Sequence, residues 1–297
     1  CAHVAGGASL SAQAAALVNG TAAHMLDWDD YEITGSTHPS PPIIPALLAV
    51  SDLRQVTLDD VTTAYVVGFE AIVRAGRALG GYDHYLRGWH ATGTIGVLGA
   101  AAAVAHLIGL DEIRMARSIS FAMSMAAGLK AQIGTDGKPL HAGLAARAGL
   151  EAALLAEAGL TSNARAAEET YGFLDLYGSG LRQLEPEPAE PGILADGVFR
   201  KPWPCCAYTH RVIEAGLDLR ARPDFDILQI CEGVIRTPDP FFRVSPFLRP
   251  EVPTEARFSM THSVAWSLIE GAPTPDAFQP AAISRADIRD LVSKLSV

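Results

Sequence analysis

Residues 93–110, GTIGVLGAAAAVAHLIGL, decide how the rest of the 297-residue chain is read. This is the longest apolar run in the sequence, and its length approaches a membrane span. It is also rich in Gly and Ala, carries His106, and leads straight into Asp111 and Glu112. Few other segments come near that length. The spacing therefore predicts a helix over residues 93–108, apolar on every side because other helices surround it. Working outward, residues 8–30 are Ala-rich with helical spacing and end in a cluster of acids. Pro39, Pro41, Pro42 and Pro45 follow, so residues 31–42 are expected to be a loop, with a short helix over 43–54. Thr57 with Asp60 three positions on reads as a helix start, and that helix runs through about Leu79. Residues 80–92 read as a loop, and Asp111 is placed to cap a helix reaching about Leu129. GTDGKP, residues 134–139, reads as a turn-rich loop before a long helix that closes at Gly159. Small residues dominate these segments and permit close helix–helix approach.

The pattern changes after about residue 182. LEPEPAEPG, residues 184–192, reads as a surface connection. Beyond it, ILQICEGVIRT (227–237) alternates enough to be a strand, while 209–221 and 258–270 look helical. The expected fold is mainly α: a large all-α domain over residues 1–192 and a smaller α+β domain over 193–297.

Composition narrows the function. Apolar residues make up 49% and charged ones 19%, which excludes general disorder. The net charge of -10 argues against a nucleic-acid groove and against docking on anionic lipid. Cys1, Cys205, Cys206 and Cys231 form no CxxC pair, so neither a disulfide framework nor a structural zinc knuckle is expected, and a reducing cytoplasm fits. The chain opens on Cys1 with no charged segment before an apolar stretch. It is read as lacking a signal peptide and as a processed or truncated piece of a longer chain. Only four lysines are present, Lys130, Lys138, Lys201 and Lys294, so a lysine here is less often surface filler than usual.

Five segments carry groups suited to chemistry. The first is His24-Met25-Leu26-Asp27-Trp28-Asp29-Asp30 with Thr37-His38-Pro39-Ser40. On a continuing helix, His24, Asp27 and Asp30 share a face, and acids at a helix C-terminus oppose the macrodipole. A solvated acidic helix end and a metal site are both readings of this segment, but no HExxH or tight His pair supports zinc. The second places His90 just before the apolar helix, whose free N–H groups suit an anion. In the third, Lys138 sits in a Gly-containing helix entry with His141 nearby, and Pro139 rules out a P-loop. In the fourth, Lys201-Pro202-Trp203-Pro204-Cys205-Cys206 precedes His210; a Cys nucleophile paired with His210 is one reading, without a thiol-protease signature. His262 is the fifth, and a lone histidine is more often a satisfied core residue.

Taken together these segments resemble the MmgE/PrpD family, which includes 2-methylcitrate dehydratase, cis-aconitate decarboxylase and iminodisuccinate epimerase. The resemblance is carried by NGTAAHMLDWDD, THPS, PPIIPALLA, GWHATGTIG, GTDGKPLHAGLAARAGLEAALLAEAGL, YGFLDLYG, FRKPWPCCAYTH and EARFSMTHSVAWSL, in that order along nearly the whole chain. It implies a large all-α domain with a smaller α+β lid, an active site in the cleft between them, no cofactor or metal, and a homodimer. It carries Asp27, His38, His90, Lys138 and Lys201 over as catalytic residues, with His141, Cys206, His210 and His262 as substrate-binding neighbours. The decarboxylase branch has a histidine where this chain has Cys206 and a tyrosine where it has His262. The chain is also shorter than typical members: it starts inside the family's first helices and stops at IRDLVSKLSV, where the lid normally continues.

The chemistry so implied is proton movement at a carbon beside a carboxylate. Lys138 and Lys201 would stabilise the developing charge. His90 or His38 would move the proton, and Asp27 would orient a histidine or act as an acid if burial raises its pKa. The expected partner is a small di- or tricarboxylate, and the expected reaction is dehydration of a 2-methylcitrate-like hydroxy acid. Epimerisation of an imino-dicarboxylate, decarboxylation of cis-aconitate, an inactive scaffold and a metal-dependent lyase stand as alternatives.

Overall fold

The computed structural model describes residues 1–178 and 190–297, so most of the surface connection expected at 184–192 lies outside the described residues. The described chain is mainly helical and divides into two units. One comprises Cys1–Met25, Asp29–Ala131 and Lys138–Arg200; the other comprises Leu26–Trp28, Gln132–Gly137 and Lys201–Val297.

The first unit begins with a two-residue antiparallel pair, β1 (Ala2–His3) and β2 (Ser9–Leu10). After α1 (Ala12–Met25) comes β3 (Asp30–Tyr31), then α2 (Ser40–Ser51), α3 (Leu58–Ala78), the short α4 (Tyr82–Leu86) and α5 (Ala91–Thr94), α6 (Gly96–Leu107), α7 (Glu112–Met125) and α8 (Gly137–Glu157). The short α9 (Phe173–Tyr177) and α10 (Gly192–Ala195) precede β4 (Phe199–Arg200), which pairs antiparallel with β3.

The apolar run behaves as its composition requires. Every residue of α6 from Gly96 to Ala105 is buried, against α2, α3 and α7. His106 is exposed in the last turn, where the helix reaches the surface. Among the described residues no helix is long and apolar enough to cross a membrane. Glycines set the closeness of packing. A Cβ on Gly68 of α3 would stand 2.7 Å from the Gly99 carbonyl oxygen of α6, and one on Gly20 of α1 would stand 2.9 Å from the Gly143 Cα of α8. Larger residues at these crossings would force the backbones apart, at a cost typical of overpacking, ~1–3 kcal/mol.

Several helix boundaries differ from expectation for local reasons. Thr57 and Asp60 form a full capping box at the start of α3, and Asp111 caps α7 by accepting from Arg114 N–H. By contrast, α2 starts at Ser40, inside the proline-rich stretch expected to be a loop, because Pro41 and Pro42 occupy the first turn, where an N–H has no partner in any case. The same logic starts α8 at Gly137, so Lys138 and Pro139 are helical. The expected loop over 80–92 holds α4 and α5. α1 ends at Met25, and Asp27 takes φ 51°, so His24, Asp27 and Asp30 share no helical face and the acids lie beyond the helix end. An Asp side chain tolerates that left-handed conformation better than most.

The second unit contains α11 (His210–Arg220), β5 (Gly233–Val234), α12 (Asp239–Val244), α13 (Pro253–Ala256), α14 (Met260–Ile269), α15 (Pro280–Ile283), α16 (Ala286–Ser293) and β6 (Leu295–Ser296). α14 packs against α11 and α16. One apolar cluster joins Cys205, Ile213, Ala256, Phe278 and Ile283; another joins Leu268, Ile288, Leu291 and Val292. The strand expected over ILQICEGVIRT shrinks to β5, which pairs parallel with β6. Asp226 accepts from Leu228 N–H and bends Ile227–Gln229 into a 3-10 turn. Ile227 and Ile230, three apart, then pack on the second cluster, so a period of three replaces the expected period of two.

Candidate active site

The first unit gathers histidines from four places in the sequence. His24 is in the last turn of α1 and is 1% exposed. His38 stands two residues before α2, at the end of a turn built on Glu32. The buried Glu32 carboxylate accepts from Gly35 N–H, Thr37 N–H and Thr37 Oγ1–H, and Glu32 and Thr37 form a β-bridge. His38 N–H donates to Thr92 Oγ1 at 3.2 Å. His90 precedes α5, and its N–H donates to Gly128 O at 3.0 Å. His141 and Lys138 both lie in the first turns of α8.

These side chains converge. The ring centroids of His24 and His38 are 4.8 Å apart, those of His24 and His90 are stacked at 5.7 Å, and those of His90 and His141 are at 5.2 Å. The carboxylate drawn against them is Asp29, which accepts from His24 Nδ1 and lies 3.3 Å from His38 Nδ1. His38 Nδ1 also faces Asp30 O at 2.7 Å. A carbonyl oxygen only accepts, so this geometry assigns the proton of His38 to Nδ1 and leaves Nε2 as the lone-pair edge. By the same reasoning His24 carries its proton on Nδ1, and its Nε2 is buried without a hydrogen-bond partner. Asp30 accepts from Ser40 Oγ at 2.6 Å and from Tyr65 OH at 3.3 Å; burial pushes its carboxyl upward.

Burial disfavours the charged form of three of these imidazoles. It lowers His24 from 6.5 to about 3, overriding the Asp29 charge, and Lys138 adds to the fall. His90 is held well below its ordinary value, first by burial and then by Lys138. His141 is lowered for the same two reasons. Lys138 itself is 5% exposed. The result is a set of three rings, His24, His90 and His141, held toward the neutral form beside Lys138.

Among the described residues, His24, Asp29 and His38 are the group with ligand atoms close enough to hold a metal ion, all within 4.8 Å of one another. The protonated Nδ1 of His38 donates to Asp30 O and offers no lone pair to an ion, and Asp29 accepts from His24 Nδ1. This donor set suits proton sharing better than coordination.

The second unit holds the other group of residues singled out in the sequence. Lys201 Nζ lies 3.0 Å from Asp27 Oδ2 and donates to Asp27 O at 2.9 Å, with both side chains at most 4% exposed. Trp28 Nε1–H donates to Lys201 O at 3.1 Å. Burial raises both the Cys205 and the Cys206 thiols, and lowers His210 to about 4, with the Lys201 charge second. His210 Nε2 donates to Cys205 O at 3.3 Å, and Cys205 Sγ pairs with Thr209 Oγ1 at 3.2 Å. Protonated, enclosed thiols of this kind are poor nucleophiles, which removes the basis for a Cys–His mechanism. His262 donates from Nε2 to Ala277 O at 2.8 Å and packs on Phe278. It lines a cavity of about 360 Å³ with Arg249 and Arg289.

Thus His38, His90, His141 and Lys138 meet in one unit; Asp27, Lys201, Cys206 and His210 lie in the other, and His262 is anchored there by its own carbonyl bond. Sequence reasoning did not nominate His24 or Asp29, although both stand in the segment it quoted. The positive φ at Asp27, just beyond the end of α1, has no spacing signal.

A family model described as the MmgE/PrpD N-terminal domain matches residues 1–184, and one described as the MmgE/PrpD C-terminal domain matches residues 203–297. The chain is 31% identical over 294 residues to cis-aconitate decarboxylase of Homo sapiens, covering 95% of this chain and 60% of that protein. It is 31% identical over 295 residues to the Mus musculus protein of the same name, with the same coverage. Over 236 residues it is 31% identical to cis-aconitate decarboxylase of Aspergillus terreus, covering 75% of this chain and 48% of that one. The chain therefore spans about three fifths of the mammalian relatives and about half of the fungal one.

Proposed function

Because the chain belongs to the MmgE/PrpD family, we propose that it works as a lyase on a small di- or tricarboxylate, moving a proton at the carbon beside a carboxylate. The observation that carries this is the cluster of neutral imidazoles around Lys138 in the first unit. Loss of a proton or of CO₂ at such a carbon places an electron pair on it, which spreads into the neighbouring carboxylate. The Lys138 ammonium is suited to holding that charge, and a buried setting strengthens the attraction. His90 and His38 are the proposed proton carriers. Burial and Lys138 disfavour charge on His90, so a proton it takes is readily released again. Asp29 orients His38. In the second unit, Lys201, Cys206, His210 and His262 are proposed as carboxylate-binding residues of that unit by itself, with Asp27 holding the Lys201 ammonium in place.

Two finer reactions remain in view, each with its own support. The names of the relatives favour decarboxylation of cis-aconitate: the C–COO⁻ bond breaks, CO₂ leaves, and a proton reaches the carbon. Cys206 and His262, which depart from that branch, favour dehydration of a 2-methylcitrate-like acid: a base takes the C–H proton, and the hydroxyl leaves with a proton from an acid. Incubation with each acid, following CO₂ release and alkene absorbance, separates them. The lyase reading predicts one product or the other; no turnover of either acid would overturn it.

A further inference from the structure

We propose that His141 is the proton-exchange partner of His90, passing its proton to and from water in every turnover. This rests on the lyase reading, because only a reaction that moves protons needs such an exit. His90 is 3% exposed, whereas His141 is half-buried. Their Nδ1 atoms lie 3.0 Å apart, a hydrogen bond in which one nitrogen holds the proton and the other accepts it. The backbone is shaped to allow the approach. Gly128, at φ +146°, lies over both residues: a Cβ there would sit 3.2 Å from His90 O and 3.5 Å from His141 Nδ1. A Cβ on Gly93 would sit 2.3 Å from Ala127 O and 3.3 Å from His141 Cβ. Side chains at these positions would press on the ring pair from two directions.

The balance of the relay is simple. When His90 Nε2 forms a bond to the substrate's proton, its Nδ1–H bond breaks and a new N–H bond forms at His141 Nδ1. His141 then releases its Nε2 proton to water; once product has left, water takes the proton from His90 Nε2, the shared proton returns to His90 Nδ1 and His141 Nε2 regains one from water, so both rings end as they began. For a reaction that consumes a proton the same bonds form and break in reverse. Charge does not rest on His90, where burial and the Lys138 ammonium oppose it. His141 is also disfavoured as a cation, so the proton passes on instead of being stored.

The test is substitution at His141 in the whole protein, assayed in weak and in imidazole-containing buffer. His141→Ala should lose on the order of tenfold to a hundredfold in kcat in weak buffer, with KM little changed. Added imidazole should restore kcat in a saturating manner while leaving the wild type unaffected. His141→Gln, which retains a polar group but cannot relay, should show the same loss and serves if the Ala variant fails to fold. A wild-type kcat in weak buffer, or a loss that imidazole does not restore, would overturn the proposal. If the wild type turns over neither acid, the lyase reading falls, and the relay is judged by spectroscopy. Protein carrying ¹⁵N-labelled histidine should show a scalar coupling between His90 Nδ1 and His141 Nδ1, and its absence would overturn the pair as a proton path.

Discussion

The imidazole cluster of the first unit and the Asp27–Lys201 pair of the second answer the same difficulty in opposite ways. Both place ionisable side chains, His24, His90 and Lys138 in one and Asp27 and Lys201 in the other, where water hardly reaches. Histidine begins near neutrality, so burial alone discharges it: His24 falls to about 3 and His90 follows. A lysine and an aspartate start far from neutrality on opposite sides, and at 3.0 Å each finds its cheapest partner in the other. A neutral cluster can take up and release a proton without dismantling its surroundings. A buried ion pair cannot lose one member without stranding the second. The first arrangement suits chemistry, and the second suits holding a fixed charge in a fixed place.

The sharpest way to break that contrast is to remove one member of the pair. Lys201→Met should cost roughly 3–5 kcal/mol of stability in urea unfolding, because Asp27 is left buried and charged. Adding Asp27→Asn to Lys201→Met should return part of that loss, since the carboxylate charge that Lys201 balanced is gone. If the double variant is no more stable than the single one, the pair is not the reason for the loss. In the first unit the balance should reverse. His90→Ala should lower turnover by on the order of a hundredfold while moving the unfolding midpoint far less than Lys201→Met does. Near-normal turnover would remove His90 from the proton path.

Acid should test the buried rings of both regions next. His24 in the folded chain sits at about 3 and His210 at about 4, both below the ordinary 6.5. The unfolded chain therefore binds protons first as the pH falls below 6.5. The stabilising contribution of each neutral ring is full above that pH and is lost as pH falls toward the folded values, at roughly 1 kcal/mol per pH unit per ring. Urea midpoints measured between pH 7 and 4 should decline, and His24→Asn should flatten the slope. An unchanged slope would show that His24 takes up its proton in the folded state. The smallest effect serves as a control far from both regions. Thr57→Ala deletes the capping box of α3, should cost about 1 kcal/mol, and should leave turnover untouched.

How much of this was legible in the sequence varies with the range of the forces involved. The buried α6, the Thr57–Asp60 box and the Asp111 cap depend on neighbours within a few residues, and each appears as expected. Lys138, His90, His38 and Lys201 were noticed because scarce or reactive residues stood in turn-forming contexts and because the motifs resemble a known family. His24 and Asp29 escaped nomination. Their pairing depends on α1 stopping at Met25 and on Asp27 turning to positive φ, and neither event has a periodic signature. The expected strand at 227–237 failed for a similar reason. Alternation was present, but Asp226 captured the Leu228 N–H and the isoleucines found an apolar cluster at a spacing of three.

The order of amino acids by itself determined that this chain is mainly helical, that its central helix is enclosed, and which family it resembles. Periodicity, capping and side-chain size act over short distances and are written into adjacent residues. Only the tertiary structure decided which acid faces which base. Asp27 meets Lys201 174 residues away, and His90 meets His141 51 residues away, in surroundings whose exclusion of water sets the charge of each group. Desolvation and Coulomb forces belong to positions in space, and no reading along the chain supplies them.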